Sequence, residues 1–74
     1  MEPDQLIQAL ARRRHDLGLT QAQVAEALRI RYNTVGSWEC GASEPSLRML
    51  REWCRLLGMV LRIHDAAEVY ADVA

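Results

Sequence analysis

Three glycines, Gly18, Gly41 and Gly58, each follow an apolar run at helical spacing, and this punctuation limits the chain to short helices. In the first segment the apolar residues are Leu6, Ile7, Leu10 and Leu17, with Pro3 and Asp4 where a helix begins and Gly18 where it stops. Thr20-Gln21-Ala22-Gln23 then has the form of a capping box, a hydroxyl at the cap and a Gln three residues on. It predicts a helix from Gln21 to Leu28 whose inward face is Val24, Ala25 and Leu28. The next helix, Tyr32 to Cys40, turns Val35 and Trp38 inward and is closed by Gly41. Residues 41–46 read as a loop, and Ser43 or Ser46 caps a fourth helix that runs to Leu57. Its apolar stripe is Leu47, Leu50, Cys54 and Leu57, widened by Met49, Trp53 and Leu56. The two middle helices are about two turns long and cannot hold without tertiary packing. The expected class is therefore all-α, with four helices around one core.

Size sets the second limit. Ordering 74 residues costs on the order of 100 kcal/mol of conformational entropy, at roughly 1.5 kcal/mol each. A core this small barely offsets that, and short chains often add a disulfide, a metal or a second copy of themselves. One domain over residues 1–58 is expected, with a distinct tail over 59–74. Half the residues are hydrophobic, a globular composition rather than a disordered one. No apolar run approaches the ~20 residues of a membrane span, and no cationic start precedes an apolar stretch as in a signal peptide. Cys40 and Cys54 are too few for a secreted disulfide framework, so the expected location is cytoplasmic.

Net charge is −1, but it is unevenly distributed. All nine basic residues are arginines between Arg12 and Arg62, a stretch holding five acids, so the body is basic by four charges. Glu2 and Asp4 precede it, and Asp65, Glu68 and Asp72 follow it. Association responds to local potential within a Debye length, so a basic body with acidic ends is compatible with a polyanionic partner despite the overall balance. An ordinary solvated surface has the same composition.

After Gly58 the period changes. Met59, Leu61 and Ile63 alternate with Val60, Arg62 and His64, the pattern of a half-buried strand. A lone strand needs a ladder partner, and a second copy of the chain supplies one as an antiparallel ribbon across a two-fold axis. Continuation of the fourth helix past Gly58 is the other reading. Asp65 with Glu68 is a weak cap signal for a last helix.

Two short helices joined by a tight turn outline a helix-turn-helix. The run from Leu17 to Leu28, followed by Val35, Trp38-Glu39, Gly41, Pro45-Ser46-Leu47 and Leu56-Leu57-Gly58, resembles the Cro/C1-type (XRE) helix-turn-helix domain, the lambda-repressor-like fold. The likeness covers Leu6 to Gly58. Residues 56–63 are also similar to the ending of HipB-like antitoxins, whose last strand pairs between protomers. That resemblance assigns Met59, Val60, Leu61 and Ile63 to dimerisation.

The resemblance further implies that the Tyr32–Cys40 helix enters the major groove of double-stranded DNA while the Gln21 helix backs it and touches phosphate. Gln21, and Thr20 where its hydroxyl is not fully used as the cap, are then phosphate donors. Asn33 suits bidentate contact with adenine N6 and N7. Tyr32 reaches phosphate or a thymine methyl, Arg31 phosphate or guanine, and Ser37, one turn beyond Asn33, the same groove. Arg14 and Glu39 match positions that pair the first helix with the recognition helix, a structural role. Trp38 and Trp53 are core residues, and the cysteines with His15 and His64 form no recognisable zinc set.

Three positions depart from the family pattern. Arg29 stands where the turn usually has Gly, so that Arg must adopt the turn's conformation or the turn is built differently. Arg31 replaces a Ser or Thr cap, and Asn33 could cap instead, which would remove it from base reading. Gly36 weakens the recognition helix relative to Ala, and either admits DNA closely or marks a weak helix.

Taken together, the expected function is a sequence-specific DNA-binding regulator, a repressor acting as a homodimer on a two-fold operator. The alternative is an antitoxin that binds a toxin protein and represses its own operon. No catalytic constellation, glycine-rich phosphate loop, cofactor site or metal site is expected, nor a membrane partner.

Overall fold

The computed structural model describes residues 2–67. It contains α1 (Gln5–Asp16), α2 (Gln21–Leu28), α3 (Tyr32–Glu39) and α4 (Leu47–Leu56). Each start follows from its cap. Asp4 accepts from the Leu6 N–H at 2.8 Å, and Ser46 rather than Ser43 accepts from the Met49 N–H at 3.1 Å. Thr20 and Gln23 form both arms of the capping box, at 3.0 and 2.8 Å. Arg31 precedes α3 with no side-chain cap, and Asn33 lies inside the helix, so the alternative in which Asn33 is the cap does not occur.

All four helices end the same way. Leu19 N–H reaches back to the Arg14 carbonyl, Ile30 to Ala25, Ala42 to Ser37 and Met59 to Cys54, each at 3.1 Å or less. With the shorter bond inside each, these are Schellman closures, whose pivotal residue takes a left-handed conformation. Gly18, Gly41 and Gly58 fill that place after α1, α3 and α4, at φ between 70° and 82°. After α2 it is Arg29, at φ 59° and ψ 46°. The turn keeps its ordinary geometry, and the arginine takes the strain. The left-handed closure at Gly58 also ends α4, so the fourth helix does not continue.

Val24, Ala25, Val35, Trp38, Trp53, Cys54 and Leu57 are buried with Ile7 and Leu10 in one core. α2 packs most extensively against α3 and also touches α4, while α1 lies against α3. Trp38 and Trp53 meet at its centre with ring centroids 5.3 Å apart, tilted by 38°. Several apolar residues expected inside are exposed: Leu47 by 65%, Leu17 by 44%, with Leu6 and Leu56 just over a third. Leu47 opens α4 and Leu17 lies past the end of α1, so neither is carried onto the core by its helix. Burial raises the Cys54 thiol above its usual range, and Cys40 is exposed; both are free. Among the described residues no group of three or more His, Cys, Asp or Glu could hold a metal ion.

The tail differs from the expectation. Residues 59–65 have no regular secondary structure, so the strand is not formed in the single chain. A strand exists only with a ladder partner, and no extended segment among the described residues lies beside it. Met59 and Leu61 still pack on the core, as the alternation requires, but Ile63 is 99% exposed and Val60 73%. Asp65 accepts from the Ala67 N–H at 2.9 Å, capping a helical turn at residues 66–67; Glu68, the other half of that signal, lies outside the described residues.

One polar unit ties the helices together. Arg14, only 6% exposed, donates from Nε to Glu39 Oε2 at 2.7 Å and from Nη2 to Oε1 at 2.8 Å. Its Nη1 reaches the Leu19 carbonyl at 2.8 Å, fixing the α1–α2 connection. Gln21 Nε2 gives Glu39 Oε1 a third hydrogen bond at 3.0 Å. Burial by itself would raise the Glu39 carboxyl, but hydrogen bonds from Arg14 and Gln21 and the guanidinium charge outweigh it and hold the group below its ordinary value. The bond to Glu39 likewise raises Arg14, against a smaller lowering by burial.

Arg29→Gly should add about 1 kcal/mol by removing the cost of a left-handed side-chain-bearing residue, seen as a higher midpoint in a circular-dichroism melt; an unchanged midpoint would show no strain there. Glu39→Ala should cost about 3–5 kcal/mol by stranding a buried charge, enough to unfold a domain this small. Because Glu39 is depressed in the fold, its contribution is complete above the ordinary value of 4.5 and is lost as pH falls through the lower folded value. Tryptophan fluorescence should therefore show acid unfolding that is shallower in Glu39→Gln, and superimposable acid profiles would discount the pair.

Candidate nucleic-acid interface

The expected contact residues fall into two adjoining groups that share Tyr32, with Ser37 apart from both. Thr20 and Gln21, at the start of α2, and Tyr32, at the start of α3, line one open concavity together with Arg14, His15, Leu19 and Ala22. The capping box occupies the N–H groups of Thr20 and Gln23. The first-turn donors left for an anion are the N–H groups of Gln21 and Ala22, at the positive end of the helix dipole. Thr20 Oγ accepts from Gln23, so its hydroxyl proton is still available as a donor.

Arg31, Tyr32 and Asn33 form the second group, all exposed where the chain enters α3, with Tyr32 exposed by 76%. The helix is held from behind, since Val35 is fully buried and Trp38 nearly so, which leaves its first turn facing outward. Lack of a side-chain cap at Arg31 leaves the first N–H groups of α3 open as well.

Ser37 stands apart. It lies one turn beyond Asn33 on α3, but it is half-buried and its Oγ is 2.7 Å from Ser43 Oγ. That bond ties α3 to the loop before α4. Gln21 is also engaged internally. Its amide lies against Gly36 and donates to Glu39, so only part of its donor capacity is open to a ligand.

No local pattern in the sequence points to His15, yet it lines the concavity, with Nε2 3.2 Å from Arg14 Nη2. A guanidinium has no acceptor, so the ring nitrogen accepts. It stands in the last turn of α1, and the connection into α2 brings Thr20 and Gln21 to the same concavity. Arg13 was equally unsignalled. Its Nε donates at 3.1 Å to the Leu57 carbonyl, an orphan acceptor at the end of α4, and so ties the first helix to the last. On α4 the exposed Arg48, Arg51 and Arg55 share one helical face, with a loose 3.7 Å contact from Arg55 to Glu52.

No helix among the described residues is long and apolar enough to cross a membrane. The profile of the helix-turn-helix family HTH_3, the Cro/C1-type group, matches residues 10–60, from the middle of α1 to just past α4. No curated protein and no solved structure matches the chain significantly. The match spans all of α2, α3 and α4 with their capping and closing residues, and the chain belongs to the Cro/C1-type (XRE) helix-turn-helix family of DNA-binding transcription regulators.

Proposed function

We propose that the protein is a sequence-specific repressor that binds a two-fold operator as a homodimer. The observation that carries this is the exposed first turn of α3, Arg31, Tyr32 and Asn33, beside the donor-lined concavity at the start of α2. α3 lies in the major groove, where Asn33 reads adenine and Arg31 and Tyr32 meet phosphate or base edges. Thr20 and Gln21 hold the flanking phosphate. Ser37, bonded to Ser43, contributes chiefly by fixing the end of α3. Affinity comes largely from arginines on phosphate and is steeply salt-dependent.

Dimerisation falls to the tail. Val60 and Ile63 are fully or largely exposed, while Met59 and Leu61 anchor the same segment to the core, so a second tail pairing with it would complete the strand. Half-sites would then lie about 34–36 Å apart, one recognition helix per turn of the groove. The same exposed side chains suit a toxin partner, the one specific observation in favour of the antitoxin reading.

Fluorescence anisotropy with the duplex upstream of the protein's own reading frame, against a scrambled duplex, tests the main reading. Asn33→Ala should weaken the cognate duplex by roughly 5- to 150-fold, the equivalent of 1–3 kcal/mol, and leave the scrambled one nearly unchanged; equal losses would make Asn33 a phosphate contact. Light scattering of Val60→Asp/Ile63→Asp should return monomers from a dimeric parent. A parent that is already monomeric, or a variant that stays dimeric, would refute the ribbon.

A further inference from the structure

Gly36 has no backbone reason to be glycine. It lies inside α3, and unlike the three glycines that close helices it does not have a positive φ. Glycine also weakens a helix interior relative to alanine. What the position provides is room. A Cβ there would lie 3.0 Å from Gln21 Oε1, 3.6 Å from the amide carbon and 3.8 Å from Nε2. The first distance is tighter than the great majority of real Cβ contacts. Glu39, one turn further along the same helix face, takes a hydrogen bond from that Nε2 at 3.0 Å. The Gln21 amide therefore lies across α3, with its oxygen against Gly36 and its nitrogen on Glu39.

This arrangement divides the amide's two donors. A primary amide carries two N–H groups, and Glu39 takes one. Glu39 is itself rigid, since Arg14 grips both of its oxygens. Gln21 borders the concavity at the start of α2, beside Thr20 and Ala22. We infer that Gly36 is a positioning residue for DNA contact: the space it leaves lets Glu39 fix the Gln21 amide, so that the second N–H is held ready for a backbone phosphate. The inference rests on the DNA-binding reading and assigns to it a residue that need touch no DNA. A Cβ at position 36 pushes the amide oxygen back by a few tenths of an ångström, which loosens the hold of Glu39 on its nitrogen, and Gln21 must then be ordered again on binding.

The test uses the full chain with Gly36→Ala, Gln21→Ala and the double variant, which removes any clash and so guards against a misfolded single variant. The probe is a mixed-sequence duplex, because a phosphate contact does not depend on sequence. Gly36→Ala should bind about tenfold more weakly, with the salt slope unchanged because the amide carries no charge, and without a lower melting midpoint. Gln21→Ala should lose about as much, and the double variant should be no weaker than Gln21→Ala. In the absence of DNA, the Gln21 side-chain amide resonances should shift in Gly36→Ala, a change that a general loss of helix stability would not confine to that group. Additive losses in the double variant, or unchanged affinity in Gly36→Ala, would overturn the inference. Unchanged amide resonances would overturn it alone, leaving the DNA-binding reading intact. A wild-type chain that binds no duplex would overturn that reading and this inference with it.

Discussion

The buried pair of Arg14 and Glu39 is the constraint from which the rest of the arrangement follows. A guanidinium and a carboxylate taken out of water are costly unless every donor and acceptor is matched. Here the matching is done by three different elements: α3 supplies the carboxylate, the α1–α2 connection supplies the Leu19 carbonyl, and α2 supplies the Gln21 amide. None of these groups can move without exposing a charge to a dry environment. The relative placement of α2 and α3 is therefore set by the Gln21 bond to Glu39 together with the packing of Val24, Val35 and Trp38.

The same unit joins the core to the surface. Gln21 stands at once in the buried network and at the rim of the concavity where the first-turn N–H groups of α2 open outward. A side chain with one end in each place ties the rim of the concavity to the rigid core. The contrasting strategy is visible at Arg29. There the chain accepts a left-handed arginine at a closure the other helices give to glycine, placing an additional cation on the turn between the two motif helices. That conformation carries local strain of about 1–2 kcal/mol.

Much of the fold was legible from the residues alone because it is local. Capping at Thr20, the inward positions Val35 and Trp38, and the glycine closures depend on residues within a few positions of one another. The Arg14–Glu39 pair came only through family resemblance, since its members are 25 positions apart. His15 in the concavity, Arg13 on the Leu57 carbonyl and the bond from Ser37 to Ser43 carried no signal at all. Each depends on where one helix end falls relative to another. The stripe of α4 was read too broadly for the same reason, because periodicity selects a face but not how far along it the core extends.

The tail marks the boundary most sharply. Its alternation places Met59 and Leu61 inward and Val60 outward but fails at Ile63, which is exposed, and whether alternating residues form a strand depends on a partner's backbone, which lies outside any one chain. The order of residues was enough to specify the four helices, most of their ends and the family they belong to, because caps, closures and periodicity act within a turn or two of chain; the caps of α3 and α4 and the closure at Arg29 were settled only by the structure. Packing in three dimensions was needed to establish that Gln21 bridges core and surface, that Gly36 leaves room for its amide, and that Ser37 serves its own loop. Those assignments depend on distances of about 3 Å between segments whose relative placement no local pattern encodes.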